Sequence, residues 1–159
     1  MQVTGSKSKC SLVPESIFDA SQARSILSET VALNDSDEVA YATVPAFGAI
    51  FLYVPAEDGS KPELLRLLES VSVCSEYYKV IASIKDGLLY LVIAQGDHLL
   101  LANCYPAPDF TTALYFIFLA MKSLQMNPEV CTISLASEVG IEDEETLYRY
   151  FSSVEKLSL

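Results

Sequence analysis

The sequence predicts an α/β fold built on a mixed sheet, and three observations carry that prediction. Three apolar runs at 78–84, 88–95 and 98–105 are separated only by Lys85-Asp86-Gly87 and Gly96-Asp97, turns short enough to force antiparallel hairpins. A helix opened by Asp109 has a central stretch, Ala113 to Met121, with no polar face, which predicts cover on most of its sides. A fourth apolar run at 130–136 follows that helix, and a helical crossover of this length predicts a parallel partner.

The N-terminal half reads as a smaller α/β lobe over 8–71, continuous with a larger one over 77–159. A short strand at 8–13 is closed by Pro14. Asp19-Ala20-Ser21-Gln22 has the form of a capping box, with the Asp19 carboxylate accepting from the N3 amide and Gln22 reaching back, so a helix is expected to about Glu29. Ala23, Ile26, Leu27 and Val31 form its apolar stripe. Asn34 to Asp37 is a polar turn, and strands follow at 38–44 and 49–54, the second apolar enough to be central. Ser60-Lys61-Pro62-Glu63 reads as a second capping box with Pro62 in the first turn, opening a helix to about Val71 with Leu64, Leu65, Leu67 and Leu68 inward. After Asn127-Pro128 and the fourth strand, a last helix is expected from about Asp143. Glu142, Asp143, Glu144 and Glu145 suit its dipole, and Leu147, Phe151, Val154 and Leu157 hold it down.

Totals narrow the function classes. The chain has 159 residues, 51% of them hydrophobic, which is ample for a core. Ten basic residues against 21 acidic ones leave a net charge of −11, which repels nucleic acid and anionic lipid surfaces. Apolar runs fall short of the roughly 18 residues of a membrane span, and the basic start has no apolar stretch behind it. A cytoplasmic protein with no membrane insertion is expected. Cys10, Cys74, Cys104 and Cys131 are widely spaced, and His98 is the one histidine, so no zinc-ligand spacing exists. The cysteines are expected to be structural thiols.

Strand, strand, strand, helix, strand, helix is the order of a ribonuclease H-like or actin-like half-domain. A broader resemblance rests on Leu12-Val13-Pro14-Glu15 with Phe18-Asp19, on Ala49 to Pro55, and on Leu101 to Tyr105 with Asp109 and Leu114-Tyr115. With these motifs the chain resembles a bacterial family known only as a domain of unknown function, itself similar to actin-like ATPases of the type IV pilus assembly and type II secretion kind. Its members are longer at the N-terminus, so the resemblance concerns their C-terminal part.

The actin-like resemblance implies a phosphate-wrapping loop at the first hairpin of the second half. The equivalent turn is Lys85, Asp86 and Gly87, without the second glycine or threonine such a loop uses, and Leu135 to Gly140 lacks the expected glycine-rich adenosine loop. Nucleotide binding at Lys85, Asp86 and Gly87 is therefore the alternative reading. A ribonuclease H-like nuclease needs carboxylates converging on metal ions, and neither 78–84 nor 130–136 contains one. His98, beside a hairpin turn, reads as a surface histidine. The acidic run 142–145 reads as helix capping rather than a cation site, and Tyr77, Tyr78, Tyr90, Tyr105, Tyr115, Phe116 and Phe118 read as core packing rather than a ligand box. The expectation is a non-enzymatic protein-interaction or scaffold module with no catalytic residues, no cofactor and an unidentified protein partner. A sheet cut short at the N-terminal strand further predicts a homodimer through the smaller lobe.

Overall fold

The computed structural model describes residues 9–158. Eight strands and four α-helices form two sheets with helices between and outside them. In the first sheet, β1 (Cys10–Pro14) pairs antiparallel with β3 (Ala49–Tyr53), which pairs on its other side with β2 (Ala40–Val44). Being central, β3 has no solvent face. Ile50 and Leu52 point to a cluster with Ala23 and Leu27 of α1 (Ala23–Ser28), while Phe51 points to the opposite layer. Ser8, included in the expected first strand, and Met1 to Lys7 lie outside the described residues.

α2 (Glu63–Ser70) fills that opposite layer. Leu64, Leu65, Leu67 and Leu68 are all buried in one cluster that takes in Phe51 and Val44 from the first sheet and Ile81, Val92 and Ala102 from the second. A helix with one apolar stripe would serve one sheet; four leucines in five positions span an arc wide enough to serve two.

The second sheet has the order β6-β5-β4-β7-β8. β4 (Tyr78–Lys85), β5 (Leu88–Gln95) and β6 (His98–Pro106) form an antiparallel meander, and β4 also pairs in parallel with β7 (Thr132–Leu135). The face away from α2 carries Val80, Ala82, Leu89, Leu91 and Ile93 and is covered by α3 (Phe110–Ser123) and α4 (Ile141–Tyr150). Asp109 caps α3, its Oδ1 accepting from the Thr112 amide at 2.7 Å.

Four local expectations are corrected. The capping box at Asp19 does not form. Residues Ala20–Gln22 tighten into a 3-10 turn, which brings the Ser21 amide and hydroxyl, rather than the N3 amide, to the Asp19 carboxylate. At the start of α2 the N-cap is Pro62, without a side-chain cap; Ser60 instead donates its amide to Asp58, and the Glu63 carboxylate is drawn to a cation from the other side. The terminal helix stops at Tyr150, and Ser153–Lys156 forms β8, parallel to β7. The spacing of Phe151 and Val154 suits a helix, but Ser152 and Ser153 are weak helix formers, and the open edge of β7 offers a full ladder of hydrogen bonds. Ser152 adds to it by donating from both its amide and its hydroxyl to the Cys131 carbonyl.

The fourth correction concerns α3. Its inward face, Ala113, Ile117, Ala120 and Met121, is buried, but Tyr115 and Leu119 on the opposite face are 59% and 49% exposed. Packed on one sheet, a helix hides about half its circumference, and no other described element reaches the rest. Among the expected core aromatics, Tyr77 and Tyr78 are exposed as well, Tyr77 lying over Gly96. All four cysteines are buried thiols, and burial pushes Cys131 up from its ordinary pKa.

Urea denaturation separates the two faces of α3. Ile117→Ala is expected to lose about 2–5 kcal/mol, whereas Leu119→Lys stays within about 0.5 kcal/mol of the parent. The acid limb is also predictable. Hydrogen bonds from Ser21, Lys9, Ser60 and Thr112 hold Asp19, Asp37, Asp58 and Asp109 respectively below the ordinary 3.8. A lowered folded-state pKa stabilises above the unfolded value and is lost as pH falls through the folded one, so stability should drop below about pH 4. Asp109→Ser, which keeps a capping oxygen without the titration, should flatten that drop in urea midpoints taken from about pH 6 to pH 2.

Candidate functional site

Lys85, Asp86 and Gly87 sit together at the tip of the β4-β5 hairpin, and the geometry explains their residue types. Asp86 and Gly87 both adopt left-handed backbone, φ 55° and 74°, as a two-residue turn matched to strand twist requires. The Gly87 carbonyl accepts from the Ala107 amide at 2.9 Å, tying the tip to the end of β6. Lys85 turns away from the tip and places Nζ 2.7 Å from the Glu63 carboxylate. Of the three residues singled out for a phosphate, only Lys85 reaches a cavity.

That cavity, about 510 Å³, lies between the first sheet, the start of α2 and the β4-β5 hairpin. Its floor includes Phe51, Tyr53 and Leu64, and its rim carries Lys9, Lys61, Arg66 and Lys85. Glu63 is the electrostatic centre. Only 7% of its side chain is exposed, and it sits between Lys85 at 2.7 Å and Arg66 at 3.9 Å. Lys9 crosses from beside β1 to Asp37 at 2.5 Å, and Asp37 also accepts from the Asn34 amide, closing the polar turn before β2. Arg24 of α1 donates to the carbonyls of Asn34 and Asp37 and fastens the same turn from the other side. Lys61 pairs with Glu69 at 2.9 Å. Tyr90 of β5 closes the inner wall; burial, with smaller contributions from Cys104, Glu63, Asp86 and Cys10, pushes its phenol up to about 12, so it keeps its proton.

Sequence reasoning missed this grouping. Lys9, Lys85 and the neighbours Lys61 and Arg66 come from three separate segments with no shared spacing, and Glu63 stands where the sequence predicts a capping box. The i,i+3 spacing of Glu63 and Arg66 was the one local signal available.

The remaining candidates lie elsewhere. His98 is exposed at the β5-β6 turn, 3.9 Å from Asp97 and away from the cavity. Glu142, Asp143 and Glu144 occupy the first turn of α4, where Glu144 pairs with Lys156 of β8 at 3.4 Å. Among the described residues no group of three or more His, Cys, Asp or Glu side chains could hold a metal ion, and no helix is long and apolar enough to cross a membrane. On the far side of the molecule, Phe118, Met126, Pro128 and Tyr150 line a shallow groove between the ends of α3 and α4. In its wall Phe118 meets Tyr150 edge-on at 5.0 Å, and elsewhere on α3 Phe116 stacks on Tyr105 of β6 at 4.7 Å.

Comparison with solved structures supports the architecture. A crystal structure from Bacteroides thetaiotaomicron VPI-5482, described as a protein with actin-like ATPase fold and unknown function, matches with a TM-score of 0.72 at 16% sequence identity, covering 98% of this chain and 66% of that one. The chain therefore spans about two thirds of the length of that neighbour, and the likeness concerns the fold alone. A comparison with curated proteins finds no match. A family model described as "Protein of unknown function (DUF3822)" matches residues 60–154, more than half of the chain, and the chain belongs to that family.

Proposed function

We propose that the protein is a non-enzymatic interaction module that receives a protein partner on the outer face of α3. The observation that carries this reading is the uncovered apolar surface of that helix. Tyr115 and Leu119 stand out from it, half-buried Phe116 and Phe118 flank them, and Tyr148 and Tyr150 of α4 continue the patch. Aromatic and aliphatic side chains exposed on a helix whose single charged residue is Lys122 are what the centre of a protein interface uses and what a free surface avoids. The groove at Phe118, Met126 and Tyr150, about 530 Å³, has room for one large anchoring side chain. The resemblance to pilus-assembly actin-like proteins, which work mainly by binding partners, agrees with this reading.

A photo-crosslinking amino acid at Leu119, expressed in the source cells, is expected to give a discrete protein adduct that the same probe at the exposed Glu69 does not. No adduct from position 119, or the same pattern from both, overturns the reading. ATP or GTP with magnesium should leave the melting temperature unchanged, because Asp86-Gly87 form a plain hairpin turn with no phosphate-wrapping loop. A rise of several degrees would favour nucleotide binding at Lys85, Asp86 and Gly87 instead.

A second reading, self-association through the smaller lobe, rests on β1, which among the described residues pairs with another strand, β3, on one side only. Light scattering across micromolar concentrations should then show a twofold rise in mass, and a constant monomer mass removes it. Leu12→Lys is unsuited to that test, since Leu12 packs against the core shared with α2 and its loss would disturb folding.

A further inference from the structure

We infer that the cavity between the two sheets is a binding site for a small organic anion, one carboxylate or phosphate group carried on a flat apolar body. The inference is independent of the α3 surface. Four of the ten basic residues of a strongly acidic chain line this one cavity, against three carboxylates, Asp37, Glu57 and Glu63. Random placement on a chain with 21 acidic residues would leave a cleft of this size negative.

The pairing pattern identifies where an anion would sit. Lys9 and Asp37 neutralise each other, and Lys61 is held by Glu69, which lies outside the lining. Glu63 alone answers both Lys85 and Arg66, so two cations share one carboxylate that is almost fully enclosed, with Glu57 the remaining carboxylate of the lining. α2 begins at the same spot with Pro62 as its N-cap and no side-chain cap, so its first-turn amides face the same region. Arg66 and Lys85 keep 38% and 46% of their side-chain surface exposed, enough to turn toward an entering group without breaking the core. An anionic head placed there gains charge-assisted hydrogen bonds from both.

The rest of the cavity selects the body. Tyr53 and the protonated Tyr90 present a wall that is apolar with two hydroxyls, backed by buried Leu64 and by buried Phe51, whose ring centroid lies 5.7 Å from that of Tyr53. Glu57 at the margin repels a polyanion, which separates this site from one built for a nucleotide triphosphate. A volume of about 510 Å³ falls within the range of roughly 300–1,000 Å³ typical of small-molecule sites.

The test is a titration of the isotope-labelled full chain followed by amide chemical shifts, with phenyl phosphate, benzoate and inorganic phosphate as separate probes. Phenyl phosphate or benzoate should give saturable shifts centred on Leu64, Arg66, Lys85 and Tyr90, and which of the two binds tighter tells phosphate from carboxylate. Inorganic phosphate should bind more weakly at the same amides, because it lacks the body. Arg66→Met with Lys85→Met should weaken binding at least about tenfold, and should that pair fail to fold, Arg66→Met alone should weaken it severalfold. Glu63→Gln discriminates further: it removes the competing carboxylate, so it should tighten binding severalfold while lowering the melting temperature. A purely structural role for the trio would lower both. Absence of saturable shifts, shifts centred on α3, or affinity indifferent to Arg66 and Glu63 would overturn the inference.

Discussion

Everything in this molecule is referred to the layer of leucines in α2. Leu64, Leu65, Leu67 and Leu68 lie between two sheets and join Phe51 and Val44 on one side to Ile81, Val92 and Ala102 on the other. The helix is only eight residues long, too short to be stable alone, so it is helical because both sheets need it covered. The dependence is mutual. A three-stranded sheet such as β1-β3-β2 has little core of its own, and without α2 the Phe51 face of β3 would meet water. Coupling of this kind explains why α2 starts at a site that residues from both sheets line.

The same constraint explains the fate of the β4-β5 turn. Lys85 is the last residue of β4, directly opposite the start of α2, and the nearest enclosed carboxylate is Glu63. Pairing across this gap links helix and hairpin, and it turns the lysine from the hairpin tip toward the cavity. Asp86 and Gly87 are then accounted for by backbone geometry, since a two-residue turn in left-handed conformation favours these residue types. Chemistry in this region belongs to the wall of the cavity, where Glu63, Arg66, Lys85 and Tyr90 meet, and the hairpin tip only supplies one of its members.

Charge and hydrophobicity are distributed in complementary ways on the two ends of the molecule. The cavity gathers cations on a chain of net charge −11, while the outer surface of α3 is apolar around Tyr115 and Leu119 and is continued on the charged helix α4 only by Tyr148 and Tyr150. Each departs from what folding alone would select. A solvent-facing helix surface normally carries polar residues, and Tyr115 and Leu119 contribute nothing to the core that Ala113, Ile117 and Met121 already fill.

Periodicity and turn chemistry determined the local structure: the meander at 78–106, the helix capped by Asp109, and the central character of β3 are all legible in residues a few positions apart. Hydrogen bonds within a hairpin or a helix are satisfied locally, so their sequence signals are local too. Tertiary structure alone decided three things. Ser153–Lys156 became a strand because β7 presented an open edge, a fact no spacing within 147–157 records. One face of α3 stayed uncovered because the number of layers above a sheet depends on what else the chain has to pack there. And the cavity drew Lys9, Lys61, Glu63, Arg66, Lys85 and Tyr90 from segments spread over the first two thirds of the chain, because electrostatic attraction acts through space and leaves no period in the sequence.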